Sequence, residues 1–260
     1  MQTVLITGGT SGIGAATARM LAGRGFGVVV TGRREPSAQL PPGVRWQAMD
    51  VCDEGSVRAG VSAAGELDAV VCNAGFGVFG SLEEVSLERA RAQFDTNVFG
   101  VLAVLRAALP GLRARKGRVV LVGSLAGRVP IPFQVHYSAT KAAVDSIAQG
   151  LRLEVAPFGV KVSLIEPGDI QTAFNDATDW GAPEGSPYEA RLKACREVIH
   201  RTMAAAPAPG VVAEVIHRAL TARRPRVRYQ VGPEAWTVPL GRRLLPDDLA
   251  LRLVARHYGI

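Results

Sequence analysis

The segment YSATK sets Tyr137 and Lys141 four residues apart, which puts them on one face of a helix, one turn from each other. A phenol beside an ammonium is a proton-transfer device. A tyrosine hydroxyl titrates near ~10 in water. A neighbouring ammonium stabilises the phenolate and lowers that value, so the oxygen can exchange a proton with an alcohol or ketone near neutral pH. Thirteen residues earlier, Ser124 ends the apolar run GRVVLVGS. A serine there can hold a substrate oxygen by a hydrogen bond. Together the three predict acid–base work on a C–OH or C=O group.

A second constellation stands at the start of the chain. The apolar run 3–6 leads into TGGTSGIG, residues 7–14, and then into the helical pattern AATARMLAGRG. Gly8, Gly12 and Gly14, with Thr10, Ser11 and Ile13 between them, permit a tight turn, close approach of a pyrophosphate and close packing of helix on strand. The helix N-terminus adds unpaired N–H groups and the positive end of its dipole. The next apolar run, VVVTGRR, carries Gly32 where an Asp or Glu would bond the adenosine ribose and repel a 2′-phosphate; Arg33 and Arg34 follow it. Loss of the anion and gain of cations select NADP(H) over NAD, with Arg33 as main contact and Arg34 stacking or solvated. One charge-assisted bond of roughly 1.5–3 kcal/mol is about 10- to 100-fold in affinity.

These groups need elements to hold them. Strand-like runs occupy 3–6, 27–31, 44–48, 67–71, 117–122, 160–165 and 226–230, and helical spacing recurs over 13–24, 53–63, 88–109, 136–156 and 210–222. Short, almost wholly apolar strands alternating with helices predict a doubly wound α/β fold, a seven-stranded and mostly parallel sheet with helices on both faces. Ligands of such a sheet bind beyond the C-terminal strand ends. No repeat or composition break divides the chain, so 1–260 reads as one dinucleotide-binding and catalytic domain. Residues 172–209, rich in Pro, Gly, Ala and Asp, read as a mobile flap with one or two helices, and 231–260 as a tail with a helical stretch.

An apolar fraction of 48% and a charged fraction of 20% are those of an ordinary globular protein. The net charge of +7 comes from scattered arginines rather than one aromatic-interleaved tract, which argues against a nucleic-acid partner; the field suits an anionic cofactor. The start MQTVLITGG has no leader pattern, and no uncharged apolar run approaches membrane length. Cys52, Cys72 and Cys195 form no CxxC pair, as expected of free thiols in a reducing cytoplasm. His136, His200, His217 and His257 have no paired metal spacing, and no metal is expected.

From Met1 to about Thr172 the chain resembles the short-chain dehydrogenase/reductase family of about 250 residues. TGGTSGIG matches its cofactor loop, and Asp50 with Val51 the pair that meets the adenine ring. CNAG, residues 72–75, matches NNAG at Asn73, Ala74 and Gly75, with Cys72 in place of the first Asn. Asn97 matches the residue that helps anchor a water relay to the lysine, and Ser124, Tyr137 and Lys141 complete a catalytic tetrad. PGDIQT resembles PGxxxT, with Pro167, Gly168, the backbone near Ile170 and the Thr172 hydroxyl at the nicotinamide end. The resemblance implies hydride transfer between nicotinamide and a carbonyl carbon. Tyr137 is then the proton donor in reduction, and Tyr137 and Lys141 also touch the cofactor. It further implies a homodimer or homotetramer built on helices 88–109 and 136–156.

The C-terminal RYQVG and RRLLPD segments are loosely similar to the hydroxysteroid and retinol dehydrogenase branch. They lack the VTGQ…VDGG ending common among 3-oxoacyl thioester reductases. Phe76, Phe79, Ile131, Phe133, Phe174, Trp180 and Tyr188 fall in loops at the sheet's ligand edge and are expected either to wall a cleft or to pack the flap. A small lipophilic ketone, secondary alcohol or aldehyde is the expected substrate. A 3-oxoacyl thioester reductase and a catalytically silent NADP-sensing regulator are the alternatives. The apolar and charged tail residues suit packing against a partner subunit or the chain's own domain.

Overall fold

The computed structural model describes residues 1–36, 39–172, 184–235 and 237–260. Seven strands, β1 (Thr3–Thr7), β2 (Gly27–Gly32), β3 (Val44–Ala48), β4 (Ala69–Cys72), β5 (Arg118–Val122), β6 (Lys161–Pro167) and β7 (Arg228–Val231), form one sheet in the order β3-β2-β1-β4-β5-β6-β7. Every pairing is parallel, where the sequence suggested only mostly parallel. Strand order reverses between β1 and β4, and the crevice outside their C-terminal ends is where a doubly wound sheet binds its ligand.

The helices are α1 (Gly12–Gly23), α2 (Glu54–Ala64), α3 (Leu87–Phe94), α4 (Gly100–Arg115), α5 (Val135–Val155), α6 (Glu189–Ala204), α7 (Gly210–Thr221), α8 (Thr237–Leu244) and α9 (Asp247–His257). Side chains alternate faces along each strand. Val4 and Ile6 of β1, Val28 and Val30 of β2 and Ile165 of β6 meet Ala18 and Leu21 of α1 and Ile216 of α7. Leu5, Val29, Val70 and Leu164 face the other way, onto Val57 of α2, Val104 and Leu105 of α4, and Val144 and Ala148 of α5. Burial on both faces is why the strands read as continuous apolar runs.

The helical stretch expected over 88–109 departs from regularity. A π-helical turn, Asp95–Phe99, separates α3 from α4. Such turns insert one residue into the backbone ladder and recur at functional sites; here the inserted turn carries Asn97. The stretch Leu87–Arg115 is long and apolar enough to cross a membrane by length and composition, with a mean hydropathy of 1.3 over eighteen residues. Its buried residues Val101, Val104, Leu105, Ala108 and Leu112 pack in the sheet's core, however, which makes it a core helix.

The expected flap contributes one described helix, α6. Phe79, 2% exposed, anchors it by packing with Leu192, Cys195 and Ile199, while Ile131, Phe133 and Tyr188 surround them. The Phe79, Phe133 and Tyr188 side chains therefore fasten the flap instead of walling a cleft. Phe174 and Trp180 lie outside the described residues.

Candidate active site

Three elements bring the sequence-predicted polar groups together. Ser124 stands at the end of β5, where its Oγ accepts the N–H of Ala126 at 3.1 Å and hydrogen-bonds the Tyr137 hydroxyl. Tyr137 and Lys141 lie one turn apart near the start of α5. Lys141, 7% exposed, donates from Nζ to the carbonyl of Val122 at 2.9 Å, and its Nζ lies 5.6 Å from the centre of the Tyr137 ring. Asn97 is 1% exposed. Its Nδ2 donates to the Phe76 carbonyl at 3.0 Å and to Thr140 Oγ1 at 3.1 Å, and its Oδ1 accepts the Phe76 N–H at 3.0 Å. Thr140 in turn donates to the Tyr137 carbonyl at 2.7 Å. Asn97 thus clamps the loop after β4 onto the first turns of α5. Sequence reasoning missed Thr140, and also Gln93, whose Nε2 donates to the same Phe76 carbonyl at 3.0 Å.

The titration of the pair differs from the sequence expectation. Burial pushes the Tyr137 hydroxyl up to about 12; the Ser124 hydrogen bond pulls it down and the Asp169 carboxylate pushes it further up. Burial lowers Lys141 itself to about 8. The net effect on Tyr137 is upward, against the expected depression, because burial outweighs what lowers the hydroxyl.

Part of the sequence-predicted dinucleotide set lines one cavity beyond the C-terminal ends of β1, β4 and β6. Gly8, Ser11, Gly12, Ile13, Asn73, Ala74 and Gly75 line this cavity of about 710 Å³. Pro167, Gly168, Ile170 and Thr172 line it too, together with Ser124, Tyr137 and Lys141. A Cβ on Gly14 would lie 2.3 Å from the Gly8 carbonyl oxygen, so only glycine lets α1 begin this close to the loop. Ser11 makes no side-chain cap bond at the start of α1, which leaves the first-turn amides to an anion. Asn73 Nδ2 donates to the carbonyls of Thr7 and Gly8, each at 3.0 Å, locking the β1 loop to the β4 loop. Cys72, where the family motif has Asn, is buried and pushed up to about 12, so it packs as a neutral thiol.

Thr10, Arg33, Arg34, Asp50 and Val51 lie outside the cavity wall, at the ends of β1, β2 and β3. Arg33 and Arg34 are exposed. Asp50 Oδ1 accepts the Cys52 N–H at 3.0 Å. The Gly-rich cradle, the uncapped helix start and the two exposed guanidinium groups suit a phosphorylated dinucleotide: Thr10 and Ser11 would lie along the pyrophosphate and Arg33 beside a 2′-phosphate.

Phe76 and Ile131 line the cavity, as expected for a cleft wall; the share of that wall taken by α6, α8 and α9 was not legible. The wall comes from Phe76, Val129 and Ile131, from Ile199 and Met203 of α6, and from Val238 of α8 and Leu253 and Val254 of α9. The tail therefore packs against its own domain and faces the cleft. Residues 250, 253, 254 and 257 of α9, at the spacing of one side of an amphipathic helix, and Tyr258 just after it all line the cavity.

An ion network centred on the buried Glu166 lies at the end of β6. Glu166, 1% exposed, ends β6 just before Pro167; its Oε1 meets Arg128 Nε at 2.9 Å and Arg228 Nε at 3.1 Å, and Arg228 also pairs with Asp145. Arg128 follows the turn that carries Ser124, so the network ties that turn to the strap at 167–172. Burial raises the Glu166 carboxyl while the two arginines lower it. Glu166→Gln is expected to cost roughly 1.5–3 kcal/mol, the worth of a charged hydrogen bond, read as a lower urea midpoint.

Comparison with known proteins places this geometry. The family described as short chain dehydrogenase matches residues 2–181. The 3-ketodihydrosphingosine reductase of Bacteroides thetaiotaomicron is 35% identical over 100% of this chain and 98% of its own length. The human 17-beta-hydroxysteroid dehydrogenase type 1 is 36% identical, covering 87% of this chain and 76% of that protein. A short chain dehydrogenase from Burkholderia cenocepacia, solved in complex with NADP, superposes with a TM-score of 0.78 at 26% identity, over 97% of this chain and 98% of that one.

Proposed function

Because the chain belongs to the short-chain dehydrogenase family, an oxidoreductase family acting on alcohol and keto groups, we propose that it reduces a lipophilic ketone with NADPH. The observation that carries this reading is that Ser124, Tyr137 and Lys141 line one cavity together with apolar side chains of the flap and tail, among them Ile199, Met203, Leu253 and Val254. When bound, the cofactor supplies the hydride to the carbonyl carbon. Ser124 holds the carbonyl oxygen and Tyr137 delivers the proton to it. With its hydroxyl raised to about 12, Tyr137 keeps its proton at neutral pH, the state a general acid needs. Lys141 holds the nicotinamide ribose, Asn97 and Thr140 fix the start of α5, and α8 and α9 keep water from the apolar end. Relatives named for a ketodihydrosphingosine and for a hydroxysteroid support a lipophilic substrate. The exposed Phe99 beside α4 and Leu153 on α5, 59% and 77% accessible, support a homodimer or homotetramer formed through those helices.

The test is NADPH consumption by the purified protein against a long-chain ketone, a steroid ketone, retinal and a short 3-oxoacyl thioester. Turnover of the lipophilic carbonyls is the expected result; turnover of the thioester alone would transfer the protein to the acyl-reductase reading. Arg33→Ala is expected to raise the KM for NADPH about 10- to 100-fold and leave the KM for NADH as it was. An equal change for both cofactors would remove Arg33 from the 2′-phosphate.

A further inference from the structure

The two short helices that end the chain repeat one arrangement. Leu240, Arg243 and Leu244 stand at i, i+3 and i+4 in α8; Leu249, Arg252, Leu253 and Arg256 stand at i, i+3, i+4 and i+7 in α9. That spacing is one continuous side of a helix, and all seven residues are exposed. The inward side of each helix is occupied: Val238 and Gly241 of α8, with Ala250, Val254 and His257 of α9, line the cavity. Leu253 belongs to both sides, exposed to solvent and yet part of the cavity wall. The stripe of leucines and arginines therefore reaches the cavity's rim.

Exposed leucines scattered singly need no explanation, but four of them interleaved with arginines along two touching helices form a patch. The charge around it is one-sided. The chain's end lies on α6, where Tyr258 packs among Leu192, Cys195 and Ile199 and a Cβ on Gly259 would meet Ala194 at 3.7 Å. Together α6, α8 and α9 carry eight Lys or Arg and four Asp or Glu, so four of the chain's seven net positive charges sit on these three helices. Of the acids, Glu189, Asp247 and Asp248 stand in first turns, where the helix dipole holds them, and Glu197 lies within α6. Two copies packed on this face would set its arginines against one another, since an isologous contact repeats the same surface. An anionic bilayer meets both parts of the pattern. Leucines enter the acyl boundary, and arginines on long apolar stems reach the phosphate headgroups.

We propose that α8 and α9 dock the protein on an anionic lipid bilayer, with Leu240, Leu244, Leu249 and Leu253 in the interface and Arg243, Arg252 and Arg256 at the headgroups. The rim at Leu253 then lies against the bilayer, and a lipophilic ketone passes from lipid to cleft without crossing water. This route for the substrate rests on the ketone-reductase reading given above; the docking itself does not.

The experiment is sedimentation of the whole chain with phosphatidylcholine vesicles and with phosphatidylcholine–phosphatidylserine vesicles. Wild type is expected to bind the anionic vesicles at least about tenfold more tightly, an advantage that added salt erodes. The combined variant Leu240→Ser, Leu244→Ser, Leu249→Ser is expected to lose at least about 100-fold in affinity for the anionic vesicles. Arg252→Gln with Arg256→Gln is expected to lose about tenfold on the anionic vesicles and nothing on the neutral ones. None of these five residues lines the cavity, and all are exposed, so both variants should keep the wild-type urea midpoint. Absence of wild-type binding to anionic vesicles, or binding that both variants retain, overturns the docking and leaves the reductase reading standing. A wild-type dimer that the leucine variant splits, with no vesicle binding by either, gives the face to a second copy and overturns the docking as well.

Discussion

Tyr137→Phe is expected to lower kcat/KM for ketone reduction by about 10²- to 10⁴-fold, the usual worth of a positioned general acid, while NADPH binding changes little. The ring stays to fill its place beside Lys141; only the oxygen shared with Ser124 is lost. The pH dependence separates this role from a packing role. Because the hydroxyl is raised to about 12, it is protonated throughout the neutral range. Reduction by wild type should therefore be flat from about pH 6 to 9. The reverse oxidation needs the phenolate and should rise about tenfold per pH unit over the same range. In the Phe variant the residual oxidation should lose that slope. A variant within threefold of wild type would remove Tyr137 from the chemistry, and tight NADPH binding without any turnover by wild type would favour an NADP sensor.

The residues that the structure gathers at the cavity were legible together because each group rests on short-range spacing. Tyr137 and Lys141 are one helical turn apart, Ser124 ends a strand, and Gly8 to Gly14 fit one loop. The strands were legible for a different reason: helices cover both faces of the sheet, so runs such as VVVTG carry no alternation to misread. What escaped depends on partners far away in the chain. Nothing in DTNVF announces a π turn; the turn follows from Asn97 bonding Phe76 and Thr140, twenty-one and forty-three residues away. Glu166 looks like a polar strand end until Arg128 and Arg228 converge on it. Phe79 and Phe133 lie near the ligand edge in sequence, yet α6 covers them. The tail's mix of apolar and charged residues suited packing against a partner or its own domain, and the structure turns Ala250, Leu253 and Val254 of α9 to the cleft.

Lys141 yields the other large expectation, in stability as well as activity. Buried at 7% exposure, it is lowered from an ordinary 10.5 to about 8, with desolvation of its charged form as the cause. Between those two values the unfolded chain keeps a proton that the folded chain has shed, so unfolding free energy rises with pH across that window. Below about pH 8 the full penalty of burying an ammonium is present; above about pH 10.5 it is gone. Lys141→Met removes the titration and leaves Tyr137 in both proteins, so the tyrosine's own titration largely cancels in the comparison. Urea unfolding of the two ligand-free proteins should therefore show wild type gaining about 2–3 kcal/mol on the variant between about pH 7 and pH 10. On the proposed role of Lys141 toward the cofactor ribose, the variant should also lose at least about 100-fold in kcat/KM. A difference independent of pH would mean that the Val122 carbonyl, accepting at 2.9 Å, keeps the ammonium charged in the folded state. The lysine would then enter catalysis already protonated instead of acquiring its charge with the cofactor.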